Sequence, residues 1–191
     1  ATTATLASTH FLKGDRVRVT CTPTDGTDTG TAVTDTVTVG DTRPTQPVAD
    51  VTPERPLTTE DLAVAASGST DADGDTITYH YRWYRDGTVV GSLDDKTTVP
   101  AAMTSNGEVW ECHVVARADG AASVHGSDAT EIGNSAPTLA GVEISPDPAY
   151  TDDDLTATPN GWDDADGDAA GYNWQWEKNT GGGFAVIAGE T

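Results

Sequence analysis

This sequence predicts an all-β chain of tandem antiparallel β-sandwiches set in a permuted repeat frame. Three observations carry that prediction. Apolar residues alternate with polar ones at period 2 through most of the chain. Asp-Gly and Pro punctuation interrupts the alternation about every 8–12 residues, with no helical periodicity between. Finally, residues 70–84, TDADGDTITYHYRWY, return 93 residues later as 163–177, DDADGDAAGYNWQWE. Asp71, Asp73, Gly74, Asp75, Tyr79 and Trp83 fall on Asp164, Asp166, Gly167, Asp168, Tyr172 and Trp176. A fixed period of that size marks an array of similar units.

Taken in order, residues 1–43 are rich in Thr and hold two alternating runs, DRVRVTCT and TAVTDTVTVG. Val17, Val19 and Cys21 share one parity, Val33, Val37 and Val39 another register, and Asp25-Gly26 turns between them. The stretch Asp41-Thr-Arg-Pro44 then breaks the pattern, because Pro cannot donate to a ladder.

Residues 44–136 read as one whole unit. Pro53 and Pro56 make its first strand irregular, and Leu62, Val64 and Ala66 alternate inward on a second. After the acidic turn, Ile77, Tyr79, Tyr81 and Trp83 share one face. Asp86-Gly87 turns the chain, and residues 89–99 return. Trp110, Cys112 and Val114 then share a parity, and a last strand runs to Ile132-Gly133-Asn134. Some seven short strands of this kind make an antiparallel β-sandwich.

Residues 137–191 repeat only the first half of that unit, with Pro146 on Pro53, Leu155 on Leu62 and Trp176 on Trp83. Residues 1–43 repeat only its second half, with Gly14 on Gly107 and Gly40-Asp41 on Gly133-Asn134. Joined end to end across two copies, the halves make one further unit, slightly longer than the intact one. The looser segment from Asn179 to Phe184 fits the excess. Each half alone would expose half a core and open strand edges, which are templates for pairing. The frame therefore predicts a head-to-tail homopolymer, a non-closing arrangement that builds a filament. In it Thr191 lies close to Ala1 of the next copy.

Composition narrows the function. Thirty-one acidic against 10 basic side chains leave a net charge of −21. That argues against nucleic acid as a partner, since phosphate recognition starts from Lys/Arg clusters. No apolar run reaches the roughly 20 residues of a membrane span. With no initiator Met and no signal peptide, the sequence reads as a mature product or an excised segment. His10, His80, His113 and His125 are scattered, and every catalytic template lacks a member at a meaningful position, so no enzyme is expected. Thr-rich residues 27–42 are compatible with O-linked sugar.

The motifs Asp71-Ala-Asp-Gly-Asp75, Tyr79-x-Tyr81-x-Trp83, Gly107-Glu-Val-Trp110-x-Cys112, Asp119-Gly120 and Gly133-Asn-Ser-Ala-Pro137 look like one consensus repeat. It resembles the tandem immunoglobulin-like repeats of long secreted or surface proteins of bacteria, myxobacterial ones especially, over the whole chain. The resemblance implies a sandwich, export to the cell surface or beyond, and a place in an extended extracellular polymer or stalk. Such repeats often pair a second-strand Cys with one on the strand after the Gly-Glu. Here Val64 and Ala157 stand at the second-strand positions. Cys21 and Cys112 are accordingly expected as buried free thiols acting as small apolar groups, a Cys21–Cys112 or intersubunit bridge being the alternative.

The acidic turns carry the candidate metal ligands: Asp71, Asp73 and Asp75 in one, Asp164, Asp166 and Asp168 in the other. Three carboxylates in five residues repel unless solvated or bridged, and such oxygen-rich clusters suit Ca²⁺. At the pole of an immunoglobulin-like sandwich they face the linkers at Asp41 and Asn134, with Asp25 and Asp119 ending on the same poles. A cation there stiffens the junction, as in the cadherin-like repeats the arrangement resembles; a solvated Asp/Gly turn is the alternative. The spacing is not that of an EF-hand, since Gly stands fourth instead of sixth. The aromatic residues on the Tyr79–Trp83 and Tyr172–Trp176 parities are expected in the core, and Trp162 is the candidate sugar-stacking platform. The functional expectation is a structural subunit of an extracellular filament. The alternative is a calcium-dependent adhesin or a carbohydrate-binding stalk module.

Overall fold

The computed structural model describes residues 3–188, so the expected approach of Thr191 to Ala1 of the next copy lies outside the described residues. It is all-β, with every ladder antiparallel, and its only helices among the described residues are single 3₁₀ turns. Among the described residues no helix is long and apolar enough to cross a membrane. The chain divides into two compact units, Ala1–Gly133 and Asn134–Thr191.

In the first unit, β1 (Arg16–Cys21) and β2 (Val33–Thr38) form a two-stranded ribbon of their own. The remaining strands make two sheets. One is ordered β3–β4–β7, from β3 (Val48–Thr52), β4 (Leu62–Ser67) and β7 (Thr98–Val99). The other is ordered β10–β8–β5–β6, from β5 (Thr78–Arg85), β6 (Thr88–Val89), β8 (Val109–Ala118) and β10 (Gly126–Glu131), with β9 (Ala121–Ala122) on β8. Both sheets send their inward parity into one core cluster. Val51, Leu62 and Val64 come from the first, and Trp83, Cys112 and Val114 from the second. Trp110 meets Trp83 edge-on at 6.4 Å. Both indole N–H groups are satisfied, Trp83 by the Lys96 carbonyl and Trp110 by Glu108.

The turns have local causes. Asp86 and Gly87 both take positive φ, 49° and 76°, as a two-residue hairpin between right-twisted strands requires. Asp119 and Gly120 do the same between β8 and β9. Gly126 lies so close to the Pro47 carbonyl that any Cβ would collide with it.

Two details differ from the sequence expectation. The aromatic strand begins at Thr78, one residue after Ile77. Residues 89–99 do not return as one strand: β6 ends at Val89 on one sheet and β7 begins at Thr98 on the other. The 3₁₀ turn Gly91–Leu93 carries the chain across, with Leu93 buried on the way.

The second unit holds two ribbons, β11 (Thr138–Ser145) with β12 (Thr156–Asp163), and β13 (Glu177–Asn179) with β14 (Phe184–Val186). Residues 169–176 carry no ladder. Tyr172, Trp174 and Trp176, expected in a core, are half-buried or exposed instead. The ladder that holds Tyr79–Trp83 in a sheet, with Trp83 buried and Tyr79 and Tyr81 half-buried, comes from β8, and residues 134–188 contain no counterpart of β8.

Pairing registers recur at the sequence period. Arg16↔Thr38 through Cys21↔Val33 in β1–β2 match Val109↔Glu131 through Val114↔Gly126 in β8–β10. Likewise Ser145↔Thr156 through Gly141↔Asn160 in β11–β12 match Thr52↔Ala63 through Val48↔Ser67 in β3–β4.

Candidate functional site

The two acidic turns are built alike. In each, the first Asp folds the chain over itself: Asp71 Oδ1 accepts the N–H groups of Asp73 and Asp75 at 2.9 and 3.3 Å, and Asp164 Oδ1 those of Asp166 and Asp168 at 3.0 Å. Gly74 and Gly167 supply the positive φ, 78° and 77°, that closes each turn. The third residue's carboxylate then reaches back along the chain. Asp73 Oδ2 accepts the Thr42 N–H at 2.7 Å, and Asp166 Oδ2 the Ser135 N–H at 2.6 Å.

Carboxylate oxygens are left over. Asp71 Oδ2, Asp164 Oδ2 and Asp166 Oδ1 are buried atoms with no hydrogen-bond partner. A buried, unpaired carboxylate oxygen is costly unless a cation meets it. Asp71, Asp73 and Asp75 can each turn one oxygen within 4.8 Å of the others, so this cluster could hold a metal ion. Asp164, Asp166 and Asp168 form no such triple among the described residues.

Lys13 adds a feature that no sequence pattern announced. Its ammonium lies 2.9 Å from Asp41, 2.7 Å from Asp75, and closer still to Asp119. Those three carboxylates form the second cluster able to hold a metal ion, and a protein cation sits among them. Asp119, Asp75 and Asp41 together hold the Lys13 ammonium well above the usual lysine range, while Lys13 holds Asp119 below the usual carboxylate range. Asp119 and Asp41 therefore do gather with the acidic turn, and Asp25 does not. Asp25 closes its own loop by accepting the Thr27 and Asp28 N–H groups.

The cysteines separate. Cys112 is a buried free thiol, pushed up to about 12 by burial. Cys21 is free but exposed, against the expectation of a buried thiol. Its parity points it to the apolar face of β1–β2, where nothing among the described residues covers it. Val19, Val33 and Val37 are exposed beside it. In the second unit Leu139, Val142, Trp162, Tyr172 and Trp174 line an open groove of about 490 Å³. Trp162 meets Tyr172 edge-on at 5.5 Å, so it is a wall of this groove more than a free platform.

Another groove, about 340 Å³, opens on the outer face of β5 and β8. His113 is stacked on His125 at 4.2 Å and tilted against Tyr84 at 4.4 Å. His80 pairs with Asp95 and Arg82 with Asp94, so its charges are largely compensated. No family model matches the chain, and no curated protein matches it.

Proposed function

We propose that this chain is a structural subunit or repeat segment of an extracellular or cell-surface filament, assembled head-to-tail from immunoglobulin-like β-sandwiches. A second copy of the sequence is its partner, as a separate chain or as the next stretch of a longer one. The supporting observation is the recurrence of register. Strands β1–β2 carry the pairing of β8–β10, β11–β12 carry that of β3–β4, and both ribbons leave their apolar face open. One is the half that the other lacks. Fully burying a Val or Leu side chain is worth about 1.5–3 kcal/mol, so joining the halves has a substantial driving force. Ca²⁺ held by Asp71, Asp73 and Asp75 would meet the buried unpaired Asp71 oxygen and rigidify that turn; at Asp164, Asp166 and Asp168 the carboxylates would have to draw together around the ion to do the same.

Electron microscopy and mass measurement of the purified chain across a concentration series test this reading. Filaments or open-ended oligomers that grow with concentration are expected. A well-behaved monomer at every concentration sinks it.

A second reading, a calcium-dependent adhesin or carbohydrate-binding stalk module, is favoured by the groove of His80, Tyr84, His113 and His125. It predicts glycan binding that Tyr84→Ala abolishes while assembly is unchanged.

A further inference from the structure

Resting on the head-to-tail reading, we infer the register of the contact: residues 174–178 of one copy pair antiparallel with Val17–Cys21 of β1 of the next, and β11 docks on its β2. Two independent features of the chain lead there.

The first is the ladder between β5 and β8. It sets Tyr81 opposite Val114, Trp83 opposite Cys112 and Arg85 opposite Trp110. Moving β5 one period forward and β8 one period back puts Trp174 opposite Cys21, Trp176 opposite Val19 and Lys178 opposite Val17. Directly opposed residues point to the same side of a sheet, so two indoles cover Cys21 and Val19. On the other side Glu177 falls opposite Arg18, a pair of opposite charge where β5–β8 has Tyr84 opposite Glu111. A register shifted by one residue would put the indoles and the exposed valines on opposite faces.

The second is a carboxylate. In the intact unit Asp128 Oδ1 accepts the N–H of Ala129 at 2.9 Å, and Oδ2 accepts the Val51 N–H from β3 at 2.7 Å. One period earlier stands Asp35, whose Oδ1 accepts the Thr36 N–H at 2.8 Å in the same way. The residue one period after Val51 is Ile144, on β11. Asp35 Oδ2 is thus set to take the Ile144 N–H of the neighbouring copy. This joins β11 beside β2 as β3 lies beside β10. Asp35 is exposed in the single chain, and its own strand needs only one of its oxygens.

The test is a thiol cross-link at the exposed pair, leaving the apolar residues alone. Arg18→Cys and Glu177→Cys are combined in a Cys21→Ser chain. Directly opposed strand residues place their Cα atoms about 4.5–5.5 Å apart, within disulfide range. Mild oxidation of the assembled protein should give covalent multimers whose linked peptide joins positions 18 and 177. Assemblies that form without that link, or that link other positions, overturn the register and leave the head-to-tail reading standing. A link formed only within one chain overturns the register between copies. A wild-type chain that stays monomeric removes both.

Charge exchange supplies the second measurement. Arg18→Glu should raise the concentration for half-assembly about fivefold, and adding Glu177→Arg should restore it. Asp35→Ala should likewise raise it, with the melting of the intact unit unchanged. Indifference to all three substitutions places the contact elsewhere.

Discussion

Ribbons β1–β2 and β11–β12 carry the registers of β8–β10 and β3–β4 in residues 44–133, yet the two sets bury different amounts. Leu62 is 0 % exposed, and Leu155, one period on, is 47 % exposed. Val51 is 1 % exposed against 51 % for Ile144, and Cys112 0 % against 58 % for Val19. Local sequence is therefore enough to fold each ribbon and to aim its apolar parity. It is not enough to bury that parity, which takes a second sheet. In the intact unit β3–β4–β7 and β5–β6–β8–β10 supply each other's cover. The flanking ribbons each have one layer, and a sheet buries its face only against another layer.

The largest test of this contrast compares two tryptophans in equivalent positions. Trp83→Ala should cost about 3–5 kcal/mol, because it empties a closed core. Trp176→Ala should cost clearly less in dilute solution, where the side chain is only half-buried. In the assembled protein its cost should approach that of Trp83→Ala. Denaturant titrations at two protein concentrations read both. An equal cost for the two in dilute solution would mean that the flanking segments bury their cores unaided.

Thiol reactivity gives a smaller signal with a clear sign. Cys21 should react with a thiol reagent at dilution and become protected as the protein assembles. Cys112 should stay protected throughout until denatured. Burial raises Cys112 from the ordinary 9.0 to about 12, so above pH 9 the unfolded chain gives up a proton that the fold retains. Its contribution to stability is complete below pH 9 and is lost as pH climbs toward 12. Cys112→Ala should flatten that alkaline slope in pH-dependent melts. A Cys21 that is as inert as Cys112 in the dilute monomer would break the contrast between the two regions.

Much of this was legible in the residues. Alternation placed Trp83, Trp110, Cys112 and Val114 on the buried parity, and the Asp-Gly pairs located the hairpins. Period-2 alternation reports which face a residue takes and is silent on whether another layer covers it. That is why Cys21, on an apolar parity, is nevertheless exposed. The crossing of residues 89–99 between sheets was hidden for a related reason. Two-residue strands are too short to alternate, and β6 and β7 are fixed by their neighbours' ladders. Lys13 was the least legible. A single lysine in a Thr-rich stretch has no pattern, and Asp41, Asp75 and Asp119 meet it only once three separate segments have folded together.

Lys13 supplies the last and smallest test, which sharpens the comparison of the two acidic turns. Asp75 belongs to both metal-capable clusters of the first unit, and the ammonium occupies one of them. One period on, Lys13 and Asp41 are matched by Asn106 and Asn134, so the sequence gives up that positive charge and one negative charge together. In Lys13→Gln, Asp41, Asp75 and Asp119 are left facing one another, and like charges at that range favour proton or cation uptake. The variant should melt lower than the wild type in a chelator, and millimolar calcium should recover more of its melting temperature than it adds to the wild type, a difference of a few degrees. Acid gives an independent check. Lys13 holds Asp119 below its ordinary 3.8, so this pair contributes above that pH and fades as pH falls through the depressed value. Lys13→Gln should therefore lose less between pH 5 and pH 2 than the wild type does. Equal calcium responses and equal acid slopes in the two proteins would mean that the ammonium is a solvated surface charge and that the turn is closed by its own Asp71 hydrogen bonds alone.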